Sequence, residues 1–382
     1  MKFKVEEKKL IEAIKSKEAL EILKASNAII AGGAITSLFT KQPINDLDIY
    51  FRSYEDLEVF VRLACDGEVE DENAWEHFKV KEKDVHCGDF GSYTLIHNGL
   101  TTKSCLFTTH QRNQFEEPTK LQLIHFAFYK STKEIFKTFD FTINMAAYDF
   151  KYQEFIFHED FLKDLSQRSL VVNTSTAFPM ISVVRVDKYK QRGFEISRKE
   201  LFKLLVAVNK VKITSWKELR AHLGGLYGAT DTNLFDDSKE FSLDEAIEQL
   251  INLESQEFDP SFVRQSMSSR NILRNIQIEH GMLEPQLTFY KFVTKNQDGS
   301  LVSYYQSGKG QLTYKVKEFI NGGANGIYCY ETVKDVGSYH KHKGKETLKL
   351  TIKDPAQAIY GDGEIRLLGN VFVDSVVPKD LE

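Results

Sequence analysis

The stretch AIIAGGAITSLFTKQPINDLDIYFR, Ala28 to Arg52, decides the fold that we expect for this chain. It starts with an apolar run that ends at Gly32-Gly33, continues as a helical segment from Ala34 to Phe39, and turns at Lys41-Gln42-Pro43. From Asp46 to Phe51 carboxylates then alternate with apolar residues. Because residues i and i+2 of a strand point to the same face, this alternation predicts a strand with both carboxylates on one side.

The two carboxylates predict a metal site. Asp46 and Asp48 should project side by side while Leu47, Ile49 and Phe51 enter the core. Neighbouring carboxylates repel each other, and a divalent cation between them relieves the repulsion. The sequence therefore predicts a Mg²⁺ (or Mn²⁺) site that faces a glycine turn open to phosphates. The alternative for Asp46 and Asp48 is a solvated turn pair or a helix cap.

Two motifs carry a family resemblance. An apolar strand, a diglycine, an interval of roughly a dozen residues and Asp-x-Asp resemble the nucleotidyltransferase superfamily, in particular the head domain of poly(A) polymerases and CCA-adding enzymes. The segment FDFTINMAAYD, Phe139 to Asp149, resembles RDFTINALAYD of the same enzymes. The resemblance reaches as far as Glu195 and leaves the second half of the chain unaccounted for.

The resemblance implies roles for particular residues. It implies that Asp46, Asp48 and Asp140 are the catalytic, metal-binding carboxylates, although Asp140 could instead cap or brace a domain junction. Gly32 and Gly33 would admit phosphates to the following helix N-terminus, where free amides favour anions. Thr36 and Ser37 would complete this nucleotide-binding cradle, in place of the Arg-Asp of the family's GGAVRD.

A basic segment offers the positive charge that the family's arginine would supply at the position of Thr36. Arg185, Lys188 and Arg192 fall at i, i+3 and i+7, on one helical face that could bind phosphates or base edges. The alternative is a solvated basic stripe. The surrounding segment resembles the family's neck, which ends RLGFEI. The Glu-Asp-x-x-Arg template of CCA-adding enzymes is not recognisable, so CCA addition is not predicted.

Composition narrows the class of protein. The chain has 382 residues, 42% hydrophobic and 27% charged, with a net charge of −5, which argues against a surface that grips nucleic acid throughout. No apolar stretch is long enough for a membrane span, so we expect no membrane partner. The four cysteines are scattered without CxxC spacing, which favours a reducing cytoplasm without a disulfide framework.

Periodicity predicts an α+β protein of three parts. These are a mixed α/β part at 1–180, a helical part at 181–283, and a β-rich C-terminal module at 284–382. The resemblance implies that the first part is a nucleotidyltransferase (polymerase-β-like) head and the second its neck and body. The C-terminal module vaguely resembles small domains appended to phage proteins. Within the head we expect one amphipathic helix over 5–25 and a hairpin turn at Asn98-Gly99. His86-Cys87 and His340-Lys341-His342 lack partners at zinc-ligand spacing.

Two hypotheses for function follow. The first is a Mg²⁺-dependent nucleotidyltransferase that moves a nucleoside monophosphate from an NTP to an acceptor hydroxyl. The acceptor stays open between an RNA 3′ end (of tRNA or another RNA), a protein side chain and a small molecule. The second is a catalytically silent or antitoxin-like member that binds nucleotide or a partner through the same fold. The oligomeric state is open.

Overall fold

The computed structural model describes residues 3–67, 95–100, 103–109, 117–176, 178–223, 240–254, 269–304, 311–322, 326–337, 345–353, 357–360 and 365–379. The chain divides into two compact units, an N-terminal unit Met1–Ser269 and a C-terminal unit Arg270–Glu382. The second unit thus begins earlier than the predicted boundary at 284. The predicted division between head and neck at 180 stays a prediction.

The N-terminal unit combines one large sheet with helices. Its helices are α1 (Lys4–Ile14), α2 (Lys17–Ala25), α3 (Gly33–Thr40), α4 (Tyr54–Asp66), α5 (Thr132–Thr138), α6 (Phe161–Ser166), α7 (Pro179–Gln191), α8 (Arg198–Asn209), α9 (Trp216–Leu223) and α10 (Leu243–Glu254). Its strands are β1 (Ile29–Ala31), β2 (Asp46–Tyr50), β3 (Ile96–Leu100), β4 (Ser104–Thr108), β5 (Lys120–Ile124), β6 (Ala146–Asp149), β7 (Glu154–Phe157), β8 (Ser169–Leu170) and β9 (Glu195–Ile196).

The large sheet has the order β3-β4-β5-β2-β1-β6-β7. Strand β2 pairs antiparallel with β1 and parallel with β5, so the Asp-x-Asp strand lies in the interior of the sheet. Strand β1 is completely buried because it lies between β2 and β6. Its end delivers the diglycine to the start of α3, next to the carboxylates of β2.

Two local predictions for the head were wrong. The helix expected over 5–25 is two helices, because Lys15 adopts a left-handed conformation and the Ser16 hydroxyl accepts a hydrogen bond from the Ala19 N–H at the start of α2. Asn98-Gly99 is not a hairpin turn but lies within β3, where the register with β4 shifts. There Asn98 Nδ2 donates to the Ile96 carbonyl and to Thr108 Oγ1, which holds the irregular strand in the sheet.

The segment after the sheet contains helices α7 to α10. Helix α7 begins with Pro179, which has no N–H to leave unsatisfied there. Helix α8 is capped by Ser197, whose hydroxyl accepts from the Glu200 N–H. Helices α8 and α9 both contact α7, so α7 links the sheet region to the helices that follow it.

The C-terminal unit is rich in strands. Its elements are α11 (Ser269–Glu279, of which all but Ser269 belongs to this unit), β10 (Thr288–Lys295), β11 (Leu301–Ser303), β12 (Thr313–Tyr314), β13 (Phe319–Asn321), β14 (Ile327–Cys329), α12 (Val333–Val336), β15 (Lys345–Thr351), β16 (Ala358–Tyr360), β17 (Ile365–Leu367) and β18 (Asn370–Val376). A six-stranded sheet (β12-β11-β10-β15-β18-β13) and a three-stranded sheet (β14-β17-β16) share one apolar core.

Some sequence features lie outside the described residues, among them His86-Cys87 and His340-Lys341-His342. Cys65, Cys105 and Cys329 are buried free thiols. Among the helices of the described ranges, none combines the length and apolar character needed to cross a membrane.

Candidate functional site

The Asp-x-Asp strand has the predicted alternation. Leu47 and Ile49 of β2 are fully buried, whereas Asp46 is exposed and Asp48 is half-buried. Both carboxylates therefore lie on the opposite side of the strand from the apolar residues. In the pairing of β2 with β5, Asp48 lies opposite Gln122, so the carboxylate next to Asp48 in space is that of Asp46 rather than one on β5.

The diglycine bend lies against Asp48. Gly32 has φ +84°, a left-handed conformation that side chains disfavour, and its N–H donates to the Ala146 carbonyl. A Cβ on Gly32 would lie 3.4 Å from Phe139 Cζ and 3.9 Å from Asp48 Oδ2. A Cβ on Gly33 would have no heavy atom within 4 Å. Gly32 therefore shapes the bend, and Gly33 leaves space at the N-terminus of α3.

Asp48 is an unusual carboxyl group. Burial, followed by repulsion from Asp46, raises its pKa from 3.8 to about 7, although Arg185 and Lys188 act in the opposite direction. Burial and the nearby Asp48 also raise the pKa of Tyr50 above its ordinary value. The two cations thus do not fully neutralise the acidic pair, and a further positive charge would be favourable beside Asp48.

The basic face of α7 lies opposite the acidic pair. The pKa of Lys188 is lowered by burial and by Arg185 and Arg192, while Asp46 and Asp48 act to raise it. Arg192 follows the last residue of α7, and its Nη1 donates to Ser37 Oγ at 3.5 Å. The structure therefore brings all three predicted cations together with Asp46, Asp48 and Ser37.

Asp140 lies near this group, and its carboxylate contacts three protein groups. The residue is only 3% exposed. Its Oδ1 accepts from the Phe141 N–H at 3.0 Å and from Asn144 Nδ2 at 2.8 Å. Its Oδ2 lies 3.1 Å from Arg185 Nη1. Burial lowers the pKa of Arg185, but Asp140, Tyr189 and Asp48 raise it above its ordinary value, so the guanidinium is charged.

The three predicted carboxylates do not converge at ligand distance. In the part of the chain that the structure describes, one set of three metal-type side chains brings its ligand atoms within 4.8 Å of one another, and it is the adjacent set His158, Glu159 and Asp160. Asp140 forms an ion pair with Arg185, and the same Arg185 acts electrostatically on Asp48, which is next to Asp46. The role of Asp140 as a third metal ligand stays a prediction.

Thr36 differs from its predicted role. Its side chain is buried, and its hydroxyl donates to the Ile143 carbonyl at 2.6 Å. The same Oγ1 lies 3.2 Å from Asn144 Oδ1. The Thr36 hydroxyl therefore joins α3 to the Thr142–Asn144 turn instead of facing a ligand, because residue 36 is one turn into α3 on the side that packs against that turn. Ser37 is also buried, but it reaches Arg192.

Sequence reasoning missed two residues of this region, Asn144 and Tyr189. Tyr189 Oη donates to Asn144 Oδ1 at 2.7 Å and receives a hydrogen bond from Arg185 Nη2 at 3.2 Å. Both residues are almost fully buried. A signal was present for each: Asn144 ends the FDFTIN segment that carries the resemblance, and Tyr189 stands four residues after Arg185, on the same face of α7.

The residues present fit a divalent cation in part. The donor set of Asp46 and Asp48 consists of oxygens, which Mg²⁺ prefers, and the raised pKa of Asp48 is the expected mark of a carboxylate that lacks a counter-charge. Asp140 faces a different cation, since its Oδ1 accepts two hydrogen bonds and its Oδ2 forms an ion pair with Arg185. The arrangement can hold a cation on one side and an anion on the other, between β2 and α7.

Solved structures with a distant likeness are CCA-adding enzymes. The Thermotoga maritima CCA-adding enzyme complexed with tRNA is 15% identical, with a TM-score of 0.34 over 63% of this chain and 53% of that one. The Bacillus stearothermophilus CCA-adding enzyme in complex with CTP is 17% identical, with a TM-score of 0.30 over 56% and 49%. The chain thus spans about half the length of these enzymes.

The sequence comparisons are closer. Residues 1–168 match the family model described as "Gabija anti-defense 2 family protein". A curated protein of Bacillus phage SPbetaL7, "Gabija anti-defense 2", is 34% identical over 339 residues, which are 78% of this chain and 76% of that protein. An identity of this level over three quarters of both chains establishes common descent, and the chain belongs to the Gabija anti-defense 2 family.

Proposed function

We propose that this protein is a metal-dependent nucleotidyltransferase that moves a nucleoside monophosphate from an NTP to an acceptor hydroxyl. The observation that carries the proposal is the position of Asp48. Its carboxylate lies against the bend at Gly32, on the strand that also carries Asp46, and opposite the cations of α7. This places an acidic pair, an open helix N-terminus and a basic face around one space.

Asp46 and Asp48 would hold the divalent cation. When bound, such an ion supplies charge neutralisation at the phosphates and lowers the pKa of the attacking hydroxyl. The half-buried position of Asp48 keeps that carboxylate poorly solvated, and its pKa of about 7 leaves it partly protonated at neutral pH without a counter-charge. The protein therefore contributes a preformed pair of oxygens whose repulsion favours cation binding.

The groups that would bind the nucleotide lie on α3 and α7. At Gly33 no atom blocks the approach of phosphate to the first turn of α3, whose free N–H groups favour anions. Lys188 and Arg192 lie on the facing side, and the hydrogen bond from Arg192 to Ser37 connects the two helices. Together they would orient the triphosphate and balance its charge.

We place this activity in the setting that the family name indicates. The relative from Bacillus phage SPbetaL7 is named for action against the Gabija defence. We propose that nucleotidyl transfer by this chain serves the same purpose, with an acceptor hydroxyl on an RNA 3′ end, a protein side chain or a small molecule.

A second candidate is a silent member that binds nucleotide or a partner protein without transfer. The observation that favours it is the engagement of Asp140 with Arg185, which leaves two carboxylates beside the diglycine bend instead of three. The two candidates differ in one measurable property, since only the transferase forms a covalent product.

Transfer assays test the proposal. The full chain is incubated with Mg²⁺ and each α-³²P-labelled NTP, with pooled RNA or with bacterial lysate as acceptor. We expect labelled product from wild type and a loss of at least about a hundredfold in Asp46→Asn and Asp48→Asn. Glu154→Gln, an exposed carboxylate on the edge strand β7, is the matched control and should keep full activity. Equal labelling by all four proteins would exclude this site.

A further inference from the structure

We infer that Asp140, Asn144 and Tyr189 position Arg185 as a binding group for the triphosphate of the nucleotide. The inference rests on the proposed function, and it assigns to Asp140 a positioning role in place of a metal-binding one. The four residues form a closed cycle of three hydrogen bonds and one ion pair, which we call the Arg185 ring.

The Arg185 ring closes through four contacts. Arg185 Nη1 lies 3.1 Å from Asp140 Oδ2, and Asp140 Oδ1 accepts from Asn144 Nδ2 at 2.8 Å. Asn144 Oδ1 accepts from Tyr189 Oη at 2.7 Å, and Tyr189 Oη accepts from Arg185 Nη2 at 3.2 Å. Each residue contacts the next, so both terminal nitrogens of the guanidinium have a protein partner, Asp140 for Nη1 and Tyr189 for Nη2.

The ring is buried on one side and open on the other. Asp140, Asn144 and Tyr189 are each at most 3% exposed, whereas the Arg185 side chain is 35% exposed. A guanidinium has five N–H donors, and the ring contacts use one donor on each terminal nitrogen. The remaining donors are therefore available on the exposed side, in an orientation that the buried members determine.

The exposed side of Arg185 belongs to the proposed nucleotide site. Arg185 acts electrostatically on Asp48, and it precedes Lys188 by one helical turn on the same face of α7. The Thr36 hydroxyl, 3.2 Å from Asn144 Oδ1, connects the ring to the helix that starts at the diglycine bend. An anion that approached Gly33 and Lys188 would therefore meet a preoriented guanidinium, which binds phosphate in a bidentate manner.

The contacts of Asp140 bear on two roles that the sequence alone leaves open, a metal ligand and a positioning group for Arg185. A metal ligand needs a free carboxylate oxygen toward the ion. Oδ1 of Asp140 instead accepts two hydrogen bonds, and Oδ2 lies 3.1 Å from Arg185 Nη1, so the guanidinium supplies the positive charge beside this carboxylate. Loss of Asp140 should therefore weaken anion binding even when no divalent ion is present, whereas loss of a metal ligand should not.

Binding of inorganic tripolyphosphate tests the inference without catalysis. Titration calorimetry is done on the full chain in EDTA with wild type, Asp140→Asn, Arg185→Gln and the double variant. We expect about tenfold weaker binding in each single variant, as for loss of a charged hydrogen bond. The double variant should bind no more weakly than Arg185→Gln, because Asp140 acts through Arg185. Lys190→Gln, an exposed lysine on α7, is the matched control and should bind as wild type.

Three outcomes would overturn the inference: no tripolyphosphate binding by wild type, unchanged binding by Asp140→Asn, or additive losses in the double variant. If circular dichroism shows that Asp140→Asn does not fold, the Tyr189→Phe variant tests the inference in its place. This variant removes one hydroxyl from the ring and must weaken tripolyphosphate binding in EDTA by at least about threefold. That loss corresponds to part of the free energy of one hydrogen bond. Unchanged binding by a folded Tyr189→Phe would then refute the ring.

Failure of the proposed function would look different. A wild-type protein that binds tripolyphosphate with the predicted variant pattern, but labels no acceptor, would contradict nucleotidyl transfer and leave the Arg185 ring supported. Transfer activity that persists in Asp140→Asn, together with unchanged affinity for tripolyphosphate, would support nucleotidyl transfer and contradict the Arg185 ring.

Discussion

Replacement of Asp48 by asparagine should stabilise the metal-free protein, and more so at pH 8 than at pH 5. In the folded state burial and Asp46 raise the pKa of Asp48 from 3.8 to about 7. Between these two values the folded protein binds more protons than the unfolded chain, so stability falls as the pH rises through this window. Asparagine carries no charge at any of these pH values and removes the effect.

The size of the effect follows from the two pKa values. At roughly 1.4 kcal/mol per pKa unit, ionisation of Asp48 destabilises the fold by about 1.6 kcal/mol at pH 5 and about 4 kcal/mol at pH 8. Asp48 is partly exposed, and screening by solvent reduces both values. We therefore expect the gain from Asp48→Asn to be about 1 to 2.5 kcal/mol larger at pH 8 than at pH 5.

Urea unfolding in EDTA measures this difference. Trp216 is nearly buried in the N-terminal unit, so its intrinsic fluorescence reports on the unit that contains Asp48. Glu154→Gln removes an exposed carboxylate from β7 and should show no such pH dependence. An Asp48→Asn gain that is the same at both pH values, or a loss at pH 8, would show that Asp48 is ordinarily solvated and would remove the electrostatic reason for a cation site.

The same fluorescence assay checks three further predictions. At pH 8, Mg²⁺ at a hundred times its dissociation constant should stabilise wild type by about 2.7 kcal/mol and leave Asp48→Asn unchanged; a response in Asp48→Asn would place the ion elsewhere. Gly32→Ala should destabilise the protein by about 1–2 kcal/mol because of its left-handed φ, whereas Gly33→Ala should cause no loss; equal effects would contradict the different roles of the two glycines. Asp149→Asn should destabilise by about 3 kcal/mol or more, because it leaves the nearly buried Arg52 without its carboxylate partner; a change below about 1 kcal/mol would show that the pair is solvated.

Much of the region around Asp48 follows from local sequence pattern. The alternation from Asp46 to Ile49 predicts which side chains are buried, and these four residues of β2 have that burial. The diglycine predicts a bend before a short helix, and Gly32 takes a conformation that other residues disfavour. The spacing of Arg185, Lys188 and Arg192 predicts that they share one helical face. In the structure Arg185 and Arg192 both lower the pKa of Lys188. Periods of two and 3.6 residues are properties of the backbone, so they can be recognised without knowledge of the fold.

The partners of buried polar groups were decided only by the tertiary structure. Asp140 follows an apolar residue in a recognisable motif, yet its carboxylate pairs with Arg185 of α7, and Thr36 turns its hydroxyl inward to the Ile143 carbonyl. A buried carboxylate or hydroxyl must find a partner, and which one it finds depends on the elements that pack around it. The sequence by itself thus determined the alternation of β2, the bend at the diglycine and the shared face of the α7 cations. Only the packing of α3, α7 and the Thr142–Asn144 turn decided which of the residues in this region face a ligand and which hold the others in place, because those contacts join residues far apart in the chain.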